Sequence, residues 1–426
     1  MRIMVLGAAG FIGRHIMSDL LGAGHELVGV VREIGGLPDA FPKVQFQQVD
    51  LAKAIDEQPW LNLLRDVDCI VNAAGVLRGR QMEAIHVDFP KALLVAASRV
   101  GVKQVVLLSA ISAREDVSTN YSQAKLAGEE LLRAADLDWT ILRPSLVYGD
   151  GSYGGTSLIR GMAGMPLVTP LPGEGKFQFT PIHARDLARS VTLICGNDEF
   201  SGQVLEPVGP NTISLKELLR RYHAWLGFGR MRFLSIPLPI MYALARIGDF
   251  VGSGPISSNS LSQLVAGNAG DSTAYAQAIG FTPRSIDESL LARPAQVQDR
   301  WHARLFFLAP AITAVLVVLW LNSAWLGLFY GHKAAEEIVG ALGISNGMIA
   351  PLRIGGSLAD IAIAAIVLLD QKGRWSTATQ LLFVLGYTLT ISVASPQLWL
   401  DPLGPLLKNI PIIALIAVHG AIKDNR

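Results

Sequence analysis

The chain has 426 residues, room for two or three domains at roughly 100–200 residues each. Its 36 Lys and Arg against 35 Asp and Glu leave no basic field to gather nucleic acid, and its two cysteines, Cys69 and Cys195, are too few for a disulfide framework and read as reduced thiols in apolar runs. The 50% hydrophobic content is uneven: charges and turns recur up to about Gln298 and thin out beyond Arg304.

Arg2–Leu6, Glu26–Val31, Val44–Val49, Asp68–Val71, Gln104–Leu108 and Trp139–Leu142 read as strands, several of them Val/Ile/Leu-rich on both faces, as buried parallel strands are. The stretches between them are long enough for crossover helices. Residues 1–144 therefore predict an α/β, doubly wound parallel Rossmann sheet. Its first apolar run leads straight into a glycine loop, whereas a signal peptide needs an apolar core of about 7–15 residues, so this domain is expected in the cytoplasm. Residues 145–300 are looser, punctuated by Gly149-Asp150-Gly151 and Pro170-Leu171-Pro172-Gly173, with short helical patterns such as Leu215–Leu226. They predict a smaller substrate-side domain that returns part of its chain to the main sheet.

Residues 301–426 hold four apolar stretches, near 305–329, 354–369, 378–393 and 403–422. A bilayer core takes roughly 20 apolar residues per helix. The first stretch qualifies outright, the second if Arg353 snorkels at its end, and Thr, Ser, Pro and Lys408 weaken the other two. The expectation is an all-α, four-helix transmembrane bundle in the inner (cytoplasmic) membrane, with lipid as a partner and room for partner membrane subunits. Arg293, Arg300 and Arg304, then Lys372 and Arg374, then Lys423 and Arg426 flank the stretches so that both termini face the cytoplasm. Asp360 and His419, inside the second and fourth stretches, read either as a quinone or proton site or as a bundle-facing ion pair and an interfacial group. Trp320 and Trp325 read as packing or interface anchors.

Gly7-Ala8-Ala9-Gly10-Phe11-Ile12-Gly13 follows the first strand and opens a helix. Gly7 permits the tight turn, Gly10 lets the backbone approach a pyrophosphate, Gly13 lets helix and strand pack closely, and the phosphates sit at the helix N-terminus with Phe11 and Ile12. The second strand ends on Val31-Arg32, where an NAD-binding unit carries an acid for the ribose 2′-hydroxyl; Arg32 offers a cation to a 2′-phosphate, which predicts NADP(H) in preference to NAD(H). Asp50 and Leu51 end the third strand at the adenine edge, Asp50 being equally suited to cap a helix. Ala73, Ala74 and Gly75, after Asn72, let the backbone pass close to the cofactor ribose.

Tyr121 and Lys125 stand at i and i+4 on one helix face between the fifth and sixth strands. A phenol has a pKa of about 10, and a neighbouring ammonium favours the phenolate, so Tyr121 is expected to exchange a proton near neutral pH. Ser109, at the end of the fifth strand, is the candidate to hold a substrate oxygen, with Ser112 as its rival.

Gly7-x-x-Gly10-x-x-Gly13, Asn72-Ala73-Ala74-Gly75, Tyr121-x-x-x-Lys125 and Leu142-Arg143-Pro144-Ser145-Leu146-Val147-Tyr148-Gly149 resemble the short-chain dehydrogenase/reductase superfamily, in its extended or atypical branch. The look is that of the subgroup holding the NADPH-binding accessory subunit of respiratory complex I. The resemblance implies that the Arg-Pro segment, with Pro144 and Val147, packs beside the nicotinamide, and that Phe179–Ala188 walls the substrate cleft. His183 in that wall is either functional or a satisfied structural histidine. Ala110 departs from the pattern, standing where many extended members place a second Ser or Thr. Arg353–Asp360 and Asp401–Pro411 are similar to the DoxX-like membrane family, whose name is linked to quinone-coupled redox proteins.

Together these readings predict a membrane-anchored NADP(H)-dependent oxidoreductase acting on an apolar carbonyl or alcohol, or a quinone. A non-catalytic NADPH-holding module and a nucleotide-sugar or sterol-type epimerase or dehydratase are the alternatives.

Overall fold

In a computed structural model, which describes residues 1–77, 79–151, 153–251 and 258–423, the chain forms two compact units, Met1–Ala303 and Arg304–Arg426. Arg426, one of the residues used to orient the chain, lies outside the described residues.

The first unit opens with β1 (Arg2–Leu6), α1 (Phe11–Gly22), β2 (Glu26–Val31), α2 (Leu37–Ala40), β3 (Val44–Gln48), α3 (Gln58–Leu63), β4 (Cys69–Asn72), α4 (Phe89–Val100), β5 (Gln104–Leu108), α5 (Asn120–Arg133) and β6 (Asp138–Leu142). It continues through β7 (Val147–Tyr148), α6 (Gly155–Ala163), β8 (Thr169–Pro172), β9 (Gln178–Phe179), β10 (Ile182–His183), α7 (Ala184–Ile194), β11 (Gln203–Leu205), β12 (Ile213–Ser214) and α8 (Leu215–Trp225). β13 (Phe233–Ile236), α9 (Leu238–Val251), α10 (Ser258–Ala266), α11 (Ser272–Ile279) and α12 (Ile286–Ala292) complete it.

Seven parallel strands form the main sheet in the order β11-β6-β5-β4-β1-β2-β3. Strand order reverses between β1 and β4, which opens a crevice at their C-terminal ends, the place where doubly wound sheets hold ligands. Each face is covered. Ile16, Met17 and Leu20 of α1 pack with Leu187, Val191 and Ile194 of α7 on one side; Phe89, Leu93, Ala96 and Ala97 of α4 pack with Trp60 on the other. The strands are apolar on both faces because both faces are buried.

β11 is the expected return of the 145–300 stretch to the main sheet: it hydrogen-bonds to β6 and extends that sheet, and residues 1–303 form one compact unit. Small two-stranded pairs, β7 with β10, β8 with β13 and β9 with β12, hold the rest. Two ion pairs on buried carboxylates lock it. Asp186 takes the Arg284 guanidinium on both oxygens at 2.9–3.1 Å. Arg160, 3% exposed, donates to the Gly149 carbonyl at 2.8 Å and to Asp299 at 3.3 Å, and lies over the rings of Tyr222 and Trp225.

In the second unit, α13 (Val297–Phe329, which starts in the first), α15 (Ile349–Leu369, after α14 at His332–Ala341) and α16 (Arg374–Ala394) are apolar and long enough to cross a membrane. The fourth expected span is shorter. α17 (Asn409–Lys423) has 15 residues, about 22 Å at 1.5 Å per residue against a hydrocarbon core of about 30 Å. Asp360 does face the bundle interior, but its partners are hydroxyls rather than a cation: Ser323 donates at 2.6 Å and Tyr387 at 3.0 Å. His419, 1% exposed, meets Thr313 at 3.0 Å through Nε2 and leaves Nδ1 without a partner. Trp320 is buried and donates to Gln380 at 3.0 Å, whereas Trp325 is exposed.

A close backbone approach at the glycine loop yields the first test. A Cβ on Gly13 would stand 2.2 Å from the Gly7 carbonyl oxygen, which is backbone and cannot swing away. Gly13→Ala should destabilise the full chain by about 1–3 kcal/mol, the cost of overpacking, and abolish nucleotide binding. Denaturant unfolding and a nucleotide titration check it; binding at wild-type affinity would show that α1 shifts at no cost.

Candidate active site

The crevice starts from the glycine loop. Gly7 has φ +74°, open to glycine at little cost, and a Cβ there would meet the Ala73 carbonyl and Ala74 Cα at 3.0 Å. The α1 N-terminus is capped by Gly10, whose missing side chain leaves the first-turn amides of Phe11, Ile12 and Gly13 without a side-chain acceptor. A helix start of this kind binds anions through backbone N–H groups and the helix dipole. The loop after β4 is held by its own side chain: Asn72 Oδ1 accepts from Ala74 N at 3.2 Å, and Ala73 N donates to Leu6 O at 3.1 Å. Gly7, Gly10, Gly13, Ala73 and Ala74 thus meet at one point. Phe11 packs on Gly149, where a Cβ would lie 2.8 Å from its ring, and Ile12 turns to the core.

Arg32 is exposed just past β2 and donates no hydrogen bond among the described residues. Asp50 caps a turn: its Oδ1 accepts from Ala52 N at 3.3 Å and its other oxygen lies 3.6 Å from Lys53. Leu51 packs against the core, the Pro144 carbonyl accepts from Ile111 N at 3.0 Å, and Val147 lies in β7.

Tyr121 and Lys125 sit in the first half of α5, which Thr119 caps by accepting from Ser122 N at 3.2 Å. Lys125 is buried and donates to the Leu108 carbonyl at 2.7 Å. A Cβ built on Gly75 would stand 3.4 Å from its Nζ and 3.3 Å from His86, so Gly75, Lys125 and His86 converge. The His86 ring lies edge-on to Tyr121, centroids 5.7 Å apart.

The charges differ from the expected ones. Burial pushes the Tyr121 phenol up to about 12, because the Lys125 ammonium turns to Leu108 instead of to the phenol. Lys125 itself is pushed down to about 8, chiefly by burial and against the pull of Glu129. Near neutral pH the pair is therefore a protonated phenol and an ammonium, not a phenolate.

Ser109 is likewise placed otherwise than expected. Its hydroxyl donates to Glu129 at 2.5 Å, and Glu129, with no exposed surface, also accepts from Arg133 at 2.8 Å and from Arg143 at 2.6 and 2.9 Å. A hydroxyl whose proton is held by a buried carboxylate has none left to donate to a substrate carbonyl. Ser112, buried on the next turn of chain, donates no hydrogen bond among the described residues. His183 caps α7, its Nδ1 accepting from Arg185 N at 3.2 Å, and its ring packs on Tyr148; burial holds it down to about 4.

His86 is the residue the sequence reading missed. It lies in a π-helical turn, Ala84–Asp88, and its Nε2 meets Val76 N at 3.3 Å and Val76 O at 3.0 Å. Burial, then the Lys125 cation, hold it down to about 3, so it is neutral. π-turns inside helices often mark functional sites, but nothing in a single histidine flanked by Ile and Val announces one.

Residues 7–164 match a family described as NAD(P)H-binding, and residues 317–417 match the DoxX-like family. Among curated proteins the chain is 26% identical over 243 residues to the ceramide reductase of Caulobacter vibrioides, covering 56% of this chain and 74% of that one. It is 31% identical over 270 residues to the divinyl chlorophyllide a 8-vinyl-reductase of Oryza sativa subsp. indica, covering 58% and 64%. It is 26% identical over 223 residues to NADH dehydrogenase (ubiquinone) 1 alpha subcomplex subunit 9 of Dictyostelium discoideum, covering 50% and 61%. The chain thus spans less than two thirds of the last two. Among solved structures, an NADPH-dependent quinone oxidoreductase from Escherichia coli with NADPH superimposes with a TM-score of 0.55 at 17% identity, over 68% of this chain and 99% of that one. A UDP-glucuronic acid 4-epimerase from Bacillus cereus with NAD gives 0.53 at 21% identity, over 68% and 97%. The likeness to those two is one of fold. The chain carries an NAD(P)-binding Rossmann domain homologous to reductases and to the complex I subunit, followed by a DoxX-like domain, and with its three long apolar helices it reads as a membrane protein.

The Ser109–Glu129 contact predicts stability rather than turnover. Ser109→Ala should cost about 1.5–3 kcal/mol, a lost hydrogen bond to a charged group, and Glu129→Ala about 3–5 kcal/mol, because Arg143 is left without its acid. Denaturant unfolding of the detergent-solubilised chain measures both. A Ser109→Ala chain as stable as wild type would mean that the hydroxyl is free for other work.

Proposed function

We propose that the protein is a membrane-anchored, NADP(H)-dependent oxidoreductase that moves hydride to or from the carbon of an apolar carbonyl or alcohol, or to a quinone. The observation that carries this reading is the convergence of Tyr121, Lys125, Gly75 and His86 in the crevice beside the glycine loop. The reductase names of two relatives support the reaction class, and that one of them acts on ceramide supports an apolar substrate. Positively charged flanks support an inner-membrane location with the Rossmann unit in the cytoplasm, and the membrane helices leave room for partner subunits.

The uncapped α1 start, the bare backbone at Gly7 and Gly13 and the small residues Ala73–Gly75 suit a dinucleotide. A bound nicotinamide supplies hydride chemistry at its C4. Tyr121, protonated at neutral pH, gives its proton to the substrate oxygen as that atom gains negative charge, so one hydride and one proton complete a reduction. Lys125 holds positive charge one helical turn away and can bond the nicotinamide ribose. Ser112, with its uncommitted hydroxyl, replaces Ser109 as the group that orients the oxygen. Arg32 meets the 2′-phosphate, which separates this reading from an epimerase with retained NAD.

A second reading, a non-catalytic module that holds NADPH for a membrane assembly, draws on the commitment of Ser109 to Glu129 and on the similarity to the complex I subunit.

Two measurements follow. NADPH should bind more tightly than NADH, and Arg32→Asp should weaken NADPH binding by about 1.5–3 kcal/mol, the worth of hydrogen bonds to a charged group, while sparing NADH; equal affinities in wild type would refute the 2′-phosphate assignment. Against a panel of quinones and carbonyl compounds, Tyr121→Phe should keep NADPH affinity and lower kcat by roughly 10²–10⁴-fold, the scale of general acid–base catalysis. Because burial lowers the Lys125 pKa, its charge is present below about 8 and lost above it, so kcat/KM for reduction should fall as pH rises through about 8, and Lys125→Met should remove that limb. Wild type no faster than Tyr121→Phe on every compound would leave the structural module as the better account.

A further inference from the structure

The segment 228–251, which leads through β13 into α9, displays large apolar side chains that no described residue of the first unit covers. Leu234 is 57% exposed, Ile240 52% and Leu244 48%; Ile240 and Leu244, at i and i+4, lie on one face of α9. Arg230, Arg232 and Arg246 are exposed among them, and Asp249 is the segment's single acid. Apolar residues interleaved with arginines and almost no acid form the composition of a helix that lies in a bilayer interface, apolar face in the acyl boundary and cations among anionic headgroups.

The first unit also ties this segment to the root of a membrane helix. The Arg300 guanidinium lies over the Phe228 ring at 5.2 Å, and Trp301 beside it is 64% exposed. Both belong to the first turns of α13, which continues from Arg304 as a helix apolar and long enough to cross a membrane. Trp and Arg at such a position are headgroup-level anchors. The segment therefore starts against residues one turn of chain before the apolar run of α13, and a surface tethered so closely to a membrane helix meets lipid at high effective concentration.

On the other side α9 leads to α10, which touches the candidate site. Gln263 donates to Ser122 on α5 at 2.7 Å and also to Thr119, the α5 cap; Asn259 donates to the Leu77 carbonyl, in the loop after Gly75, at 3.0 Å.

We propose that α9, with Leu234, is a membrane-surface contact that seats the crevice beside an anionic bilayer, so that substrates dissolved in lipid reach Tyr121 from the membrane. The route of the substrate rests on the oxidoreductase reading; the lipid contact does not. The test uses the full chain reconstituted at a low protein-to-lipid ratio, with an environment-sensitive fluorophore on Leu244→Cys and, as a control, on Val95→Cys, an exposed position on α4. In phosphatidylglycerol-containing vesicles the Leu244 label should be blue-shifted, quenched by shallow spin-labelled lipid and shielded several-fold from iodide, and Val95 should behave as an aqueous site. Arg232→Glu combined with Arg246→Glu, or pure phosphatidylcholine, should diminish the lipid quenching. A Leu244 label quenched by iodide like Val95 overturns the proposal. So does shielding that vanishes when labelled protein is diluted further, which would assign the face to a second copy. A functional arm separates the two readings: Leu244→Glu should raise KM for a long-tailed quinone several-fold and leave KM for a water-soluble quinone unchanged. Lipid contact with no turnover in any variant would retain the interface and reject the oxidoreductase.

Discussion

Glu129 holds the candidate site in place. It has no exposed surface, and it gathers Ser109 from the end of β5, Arg143 from the end of β6 and Arg133 from its own helix. An ionised carboxylate without water is tolerable only with its lone pairs filled, and here four donated hydrogen bonds fill them. The result fixes how α5 lies against the sheet. One turn before Glu129, Lys125 reaches the Leu108 carbonyl; two turns before, Tyr121 reaches the His86 ring. Without that anchor the i, i+4 spacing would align Tyr121 and Lys125 with each other but with nothing in the crevice.

The cofactor end depends instead on backbone proximity. Gly7, Gly13 and Ala73–Ala74 come so close that a methyl group at either glycine would collide with main chain. Such a constraint is local and written in residue type, which is why the glycine spacing, the strand pattern and the βαβ order were all legible in the sequence. The same holds for the small residues after β4 and for the apolar helices of the second unit, since both follow from composition over a short window.

What sequence did not disclose was which partner a side chain chooses across long separations. Ser109 and Glu129 are 20 residues apart, and only the packing of α5 decides that the hydroxyl faces a carboxylate. His86 reaches the site through a π-turn and through Gly128, where a Cβ would stand 2.5 Å from the His86 carbonyl. That part of 145–300 returns to the main sheet was legible, but not that Gln203–Leu205 does so as β11, because three residues carry too little periodicity to announce a strand. Asp360 was legible as buried in the bundle, but not its pairing with hydroxyls from two other helices.

Burial, rather than charge pairing, sets the protonation state of the crevice, and this determines what it can do. Desolvation disfavours every charged form: it raises the phenol, lowers the ammonium and lowers the imidazole. The expectation of a phenolate drawn down by Lys125 weighed only the Coulombic attraction and omitted the cost of stripping water from the anion. In the folded protein that cost prevails, because Lys125 spends its proton donor on a backbone carbonyl and His86, neutral, adds no positive charge. A phenol near 12 rests protonated at neutral pH, and although it is a weaker acid than a free phenol it still outranks the alcohol formed from an oxygen that is turning into an alkoxide. Burial therefore leaves the phenol with a proton to give, the state that the proposed reduction needs.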